Sequence, residues 1–299
     1  MDLDVRVEKR LVKIARDLGL PTEPLFHAYR FRRIAMAPKE WMKRKASLRQ
    51  MRENSQFTDF IDVDKGYRLF GPNDIPGIGE AVAAAADFYE RKRAQIDVSS
   101  AKKPYFYNIA TRSDLEELPA ILEFAKSAPM MEAAGGYLGM KPTLEALGVY
   151  LSMANDHFEK SQKFHIDFDD LRQVKCFINV SNVEALNGPF TFIPADRSRA
   201  IRLKLRHQWR NPRISDDELE NVIRTQDEET VQILGAPGYG ALVDTSSCLH
   251  YGSRCKSGYR LVIMIRYGRF PNVQLLKKEA LQLRADGTNG APCSWGSSD

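Results

Sequence analysis

The sequence predicts a mainly β protein with flanking helices, an antiparallel double-sheet barrel with helices packed outside it. Three observations predict this. Helical patterns dominate before residue 128, and from residue 148 onward they give way to short apolar or alternating runs separated by polar turns. About eight such runs follow, as a sheet-based barrel requires. Three residues of related chemistry, His165, Asp167 and His250, fall on runs 85 positions apart, and a barrel brings distant strands together at its mouth.

Taken in order, residues 5–19 place Val5, Val7, Leu11, Ile14 and Leu18 at amphipathic helical spacing, with Gly19 and Pro21 to end the helix. From 36 to 100 the pattern is mixed and punctuated by Gly71-Pro72 and Pro76-Gly77-Ile78-Gly79, with a helix over Ala81 to Arg93. Gly77-Ile78-Gly79 lacks the third glycine and the preceding strand of a phosphate loop, so it reads as a turn that starts that helix. Ser113 and Glu116 make a capping box, and Leu115, Leu118, Leu122 and Ala125 continue a helix to about Ser127. The runs VYLSM, VKCFINV and PFTFIP then read as strands. Ser215 and Glu218 open an inserted helix to about Thr225, and VQIL, ALVDTS and RLVIMIRY complete the strand set. The Gly-, Ser- and Asn-rich tail reads as disordered. The organisation expected is an N-terminal helical or irregular elaboration over 1–103, a barrel domain over 104–285 with a helical insertion at about 195–230, and a flexible tail over 286–299.

At 299 residues the chain is long enough to bury a substantial core without disulfide staples. It has no apolar run of membrane-spanning length, and the acidic start Met1-Asp2-Leu3-Asp4 lacks the layout of a secretory signal, so a cytoplasmic protein is expected. Cys176, Cys248, Cys255 and Cys293 form no CxxC pair, which fits reduced thiols. The net charge of +5 is concentrated at one end: residues 1–54 hold 14 Lys/Arg against 7 Asp/Glu, and the remainder 30 against 32. Arg30, Arg32, Arg33 and Lys43-Arg44-Lys45 read first as a solvated helical face. As a binding surface they suit a phosphorylated substrate or an acidic carrier protein better than nucleic acid.

His165-Ile166-Asp167 carries the chemistry. On a strand, residues i and i+2 share a face, so both side chains can meet one ion while Ile166 packs the other way. His250 from a distant strand closes a set of two imidazoles and one carboxylate, which leaves three positions open on an octahedral Fe(II). A zinc site built on Cys248, His250 and Cys255 lacks a second ligand pair. His157 lacks an i+2 carboxylate on a strand, His27 and His207 read as surface or packing residues, and Asp169 and Asp170 as turn or capping residues.

Phe164 to Pro194, FHIDFDDLRQVKCFINVSNVEALNGPFTFIP, and Leu249 to Gly268, LHYGSRCKSGYRLVIMIRYG, closely resemble the phytanoyl-CoA dioxygenase family of Fe(II)- and 2-oxoglutarate-dependent oxygenases. The shared features are His-x-Asp, Asn187-Gly188-Pro189, His-x-Gly-Ser and an arginine ten residues beyond the second histidine. The resemblance spans roughly residues 104–270 and implies a double-stranded β-helix, the cupin-like jelly roll. It implies His165, Asp167 and His250 as iron ligands and Arg260 as the anchor for the far carboxylate of 2-oxoglutarate. Family members often carry Ser or Thr two residues after that arginine. Here the position is Val262, which leaves Ser253 or Thr191 as the second anchor. Lys175, Phe177 and Asn179 share the strand face that the resemblance turns toward the co-substrate. For Asn179 a satisfied core amide, and for Phe177 plain packing, are equally open readings.

The reaction this implies is oxidative decarboxylation of 2-oxoglutarate by O2, giving succinate and CO2, coupled to hydroxylation or desaturation of a small metabolite or biosynthetic intermediate. Asp167 argues against halogenation, which in this family goes with a small residue at that position. The alternative is a non-catalytic barrel serving as a binding or scaffold module through its basic N-terminal segment. The walls of the substrate pocket are expected from residues 1–103 and 195–230.

Overall fold

The computed structural model describes residues 23–53, 61–98, 103–156, 158–167, 170–205, 213–223 and 230–269, with scattered positions between 7 and 20. Every described position from 7 to 17 is helical, in keeping with the expected first helix. The rest of that helix, His157, Asp169, His207 and the tail lie outside the described residues.

Helices α1 (Glu23–Met36) and α2 (Pro38–Glu53) precede strand β1 (Tyr67–Phe70) and helix α3 (Ile78–Lys92). Residues 36–53 show no helical pattern in the sequence because α2 has almost no apolar stripe: of its residues, only Leu48 is buried. Helix α3 starts on Gly77, whose φ of 84° is the left-handed conformation that glycine adopts without strain. Its apolar face, Ile78, Ala81, Val82, Ala85 and Phe88, is buried.

After β2 (Tyr107–Asn108) come α4 (Arg112–Glu116), α5 (Pro119–Lys126) and α6 (Ala128–Leu138). Two expectations change here. The capping box is Thr111 with Asp114, not Ser113 with Glu116: the Thr111 hydroxyl accepts from Asp114 N, and the Asp114 carboxylate accepts from Thr111 N. The single helix to Ser127 is broken, because Pro119 has no N–H to donate four residues back and therefore starts a new helix.

The strand region runs β3 (Thr143–Met153), β4 (Phe164–His165), β5 (Val174–Asn179), β6 (Thr191–Phe192), α7 (Ala195–Lys204), β7 (Arg213–Ile214), α8 (Asp216–Glu220), β8 (Val231–Gln232), β9 (Gly240–Asp244), β10 (His250–Tyr251) and β11 (Tyr259–Gly268). The predicted Ser215–Glu218 box does cap α8, but the helix ends at Glu220 rather than near Thr225.

Six strands form one sheet in the order β1-β9-β5-β11-β3-β2, and five form the other in the order β7-β4-β10-β6-β8. Every pairing between these strands is antiparallel. From β3 to β6 and again from β8 to β11 successive strands alternate between the sheets, while β6, β7 and β8 all lie in the smaller one, which is the jelly-roll path. The sheets face each other without a hydrogen-bonded ladder that closes them into a barrel among the described residues.

Alternation along β11 sorts two cores. Leu261, Ile263, Ile265 and Tyr267 join Val149, Leu151, Cys176, Ile178 and Leu242 on the outer side of the larger sheet, beneath α3, α5 and α6. Phe177, Ala241, Val243 and Met264 on its inner side meet Phe190, Phe192 and Ile233 of the smaller sheet, with the rings of Phe177 and Phe190 stacked at 4.0 Å. The polar residues described next share that inner space.

Candidate metal centre

His165, the last residue of β4, lies directly across from His250 in β10, so the pleat sends both side chains to the same face. Their ring centroids are 4.3 Å apart. Each ring is oriented by a carbonyl two residues earlier in the chain: His165 Nδ1 lies 2.9 Å from Lys163 O and His250 Nδ1 lies 3.0 Å from Cys248 O. A neutral imidazole donates Nδ1–H to such a carbonyl and keeps a free lone pair on Nε2, the atom a metal takes. Burial, followed by the neighbouring His250, pushes His165 down to about 3, and burial also lowers His250. Both rings are therefore neutral at pH 7.

Asp167 lies just past the end of β4 rather than within a continuous strand. Its place is set instead by its backbone N–H, which donates to Thr245 O at 2.8 Å. Its Oδ2 lies 3.7 Å from His250 Nε2, and one ligand atom from each of His165, Asp167 and His250 lies within 4.8 Å of the others. Burial alone would raise this carboxyl. Lys175 Nζ at 2.6 Å and then the two histidines outweigh that effect and hold Asp167 well below the usual carboxylate range.

One turn serves both sides of the centre. Residues 244–248 offer Thr245 O to Asp167 and Cys248 O to His250. The turn is braced by the buried Asp244, which accepts from Tyr137 Oη at 2.7 Å, Ser247 Oγ at 2.8 Å and Ser246 N at 3.0 Å.

Arg260 lies on the inner face of β11 and is 1% exposed. Its Nη2 donates to Ser253 Oγ at 3.2 Å, while its Nε is buried without a hydrogen-bond partner. The guanidinium carbon stands 6.0 Å from the centroid of the Phe106 ring, and burial pushes the group down to about 10. Leaving a buried donor unmatched costs about 1–3 kcal/mol, more when it is charged, so the pocket gains when an oxyanion meets it. Ser253 has a φ of 67° and also accepts from Ser152 Oγ at 3.1 Å, which places two hydroxyls beside the arginine. Val262, paired with Tyr150 and Asn179, contributes none.

The weaker candidates divide. Lys175 faces the centre, but in this structure it pairs with Asp167. Asn179 donates toward Ile233 O at 3.5 Å and Gly235 O at 3.4 Å, the satisfied amide that its strand allowed. Thr191 pairs with Tyr251, one position away from the His250–Phe192 pair, so the pleat turns it from the histidines, and its hydroxyl donates to Pro189 O at 3.2 Å. That placement favours Ser253 over Thr191 beside Arg260. Asp170 caps Leu171 N at 2.6 Å, as a turn residue should.

Ser152 was missed, although the alternation of VYLSM puts it and Tyr150 on one face. Lys103, close enough to Lys175 and Asp167 to feel both charges, carried no pattern in the sequence. Among the described residues, the group able to hold a metal is His165, Asp167 and His250, without cysteine: Cys248 Sγ is directed at Lys65 O and Cys255 Sγ at Ser257 O.

No family model matches the sequence, and no curated protein matches it either. Solved structures do resemble the fold. EctD from S. alaskensis, solved with 2-oxoglutarate and 5-hydroxyectoine, is 15% identical over 70% of this chain and 74% of its own, with a TM-score of 0.47. AviO1 from Streptomyces viridochromogenes Tue57 is 15% identical over 72% of this chain and 98% of its own, with a TM-score of 0.43. The epimerase SnoN, in complex with Fe3+, alpha ketoglutarate and nogalamycin RO, is 14% identical over 88% of this chain and 93% of its own, with a TM-score of 0.42. At these identities and scores none of them bears on the chemistry of this chain, which rests on its own residues.

Proposed function

We propose that the protein is a non-haem Fe(II)- and 2-oxoglutarate-dependent oxygenase that hydroxylates a small metabolite or biosynthetic intermediate. The observation that carries this reading is the pairing of a His165, Asp167, His250 cluster with a buried, under-bonded Arg260 in the same space between the sheets. The donor set fits Fe(II): two neutral imidazoles with Nε2 free and an ionised carboxylate leave open positions for a chelating co-substrate. Arg260 fits the other end of a dicarboxylate, since its planar fork binds a carboxylate bidentately.

When bound, iron supplies the oxidising power, coupling O2 reduction to loss of CO2 from the keto acid. The chain supplies the rest. Lys163 O and Cys248 O hold the imidazoles in one tautomer. Thr245 O fixes the Asp167 backbone, and Lys175 keeps the Asp167 carboxyl ionised. Arg260, with Ser253 and Ser152, fixes the co-substrate by its remote carboxylate, and the Phe177, Phe190, Met264 and Val243 walls exclude water. Hydroxylation and desaturation differ in the fate of the substrate after the first hydrogen is removed, so product analysis decides between them.

The test is succinate release from 2-oxoglutarate with Fe(II) and O2, screened across substrate classes. A substrate that stimulates release in the wild type, and does not in Asp167→Ala or His250→Ala, is expected. Release that persists undiminished in both variants contradicts the reading.

A further inference from the structure

Away from the metal centre, arginines gather where β11 ends. Arg269 follows Gly268, and alternation from the outward Tyr267, whose hydroxyl donates to Ala125 O, turns it to the helix-covered side of the sheet. It is 3% exposed, yet its Nε and Nη1 make no hydrogen bond. Its carbonyl accepts from the Arg44 guanidinium of α2, which fixes the backbone and leaves the side chain unmatched. Arg172, on the loop from Asp167 to β5, lies 5.3 Å from the centroid of the Tyr137 ring and donates to Tyr137 O at 3.4 Å. Half-buried Arg30 approaches from α1, with its guanidinium 5.9 Å from the centroid of the Trp41 ring.

Asp170 and Asp244 are the carboxylates whose charge reaches Arg269. Neither hydrogen-bonds to it: Asp170 is taken by Leu171 N, and Asp244 by Tyr137, Ser246 and Ser247. The cations that act on Arg269 are Arg30 and Arg172, so its guanidinium stands among like charges.

We propose that this cluster is an anion site that takes a phosphate group, with Arg269 at its base and Arg172 and Arg30 beside it. A buried guanidinium with two unmatched donor atoms is costly unless an oxyanion completes it. A phosphate or phosphate monoester carries about −1.5 to −2 at neutral pH and offers several acceptor oxygens, enough to meet the unmatched Arg269 donors and the two neighbouring guanidiniums together. The site is distinct from the co-substrate anchor, because Arg260 lies near the other end of β11 and on its opposite face. It needs no metal, so it stands or falls separately from the oxygenase reading.

The experiment is calorimetric titration of the full metal-free chain with inorganic phosphate and with phenyl phosphate, at constant ionic strength and with chloride as the reference anion. Saturable one-site binding is expected, weakened about tenfold or more in Arg269→Gln and in Arg172→Gln. Tighter binding of phenyl phosphate would identify the phosphate of an organic ligand as the occupant, and tighter binding of inorganic phosphate the free ion. Arg30→Gln, on a half-buried helix face, leaves the core intact and is expected to weaken binding several-fold. Arg269→Met is expected to melt no lower than the wild type in phosphate-free buffer, because it removes an unmatched buried charge. Absence of saturable binding, or equal affinity in wild type, Arg269→Gln and Arg172→Gln, would overturn the assignment. So would a lower melting temperature in Arg269→Met with phosphate binding unchanged.

Discussion

Arg260 illustrates how much a single side chain can commit. It is buried against Phe106, bonded once to Ser253, and short of a partner at Nε. Arg260→Ala is expected to weaken 2-oxoglutarate binding about 10- to 100-fold, the range for losing charge-assisted hydrogen bonds, with little effect on Fe(II) affinity. Competition titrations with the two ligands separate these effects, and equal weakening of both would place the anchor elsewhere. The histidines give a pH prediction. His165 is pushed from an unfolded value of about 6.5 down to about 3 by burial and His250. Between those values the unfolded chain holds more protons than the folded one. The stability from keeping this ring neutral is complete above about 6.5 and is lost as pH falls toward 3. Melting temperatures of the metal-free protein should therefore drop from pH 7 to pH 5, and the drop should be shallower in His165→Gln.

The turn and loop elements explain why a motif written in separate pieces acts together. Asn187 accepts from Glu184 N at 2.8 Å and donates to Ser257 O at 2.9 Å, joining its turn to the loop that carries Ser253. Gly188 sits at φ 71°, and a Cβ there would lie 2.5 Å from Cys255 N. Gly188→Ala is thus expected to cost about 1–3 kcal/mol or more from backbone strain and the clash, and to loosen 2-oxoglutarate binding by shifting Ser253. Unchanged unfolding midpoints would refute the close approach. The histidines stood out in the sequence as candidates through strand alternation and spacing, and Arg260 through the family resemblance. Asp167 was legible as a candidate ligand but not in its manner of support, since Thr245 O reaches it across 78 positions of chain. Helix α2 was not legible, because a helix held mainly by Leu48 and by Arg44, which donates to Lys141 O and Thr143 Oγ1, has no apolar period to read. Thr191 was misplaced by one pleat, an ambiguity that only the register with Tyr251 resolves.

At the scale of the molecule, two antiparallel sheets face one another and the centre lies between them. His165 and His250 come from the smaller sheet, while Lys175 and Arg260 come from the larger. No helix among the described residues is long and apolar enough to cross a membrane. A metal bound between the sheets stabilises the folded state by mass action, about 2.7 kcal/mol at a free concentration 100 times Kd. Mn(II), as a redox-stable stand-in, is therefore expected to raise the melting temperature of the wild type and not that of His165→Ala/His250→Ala. The most direct measurement is anaerobic equilibrium binding of Fe(II) to the purified chain, in the wild type and in Asp167→Ala and His250→Ala. One Fe(II) per wild-type chain, with affinity lost in both variants, is the predicted result. Undiminished binding in both variants would contradict the assignment of this cluster as the metal centre.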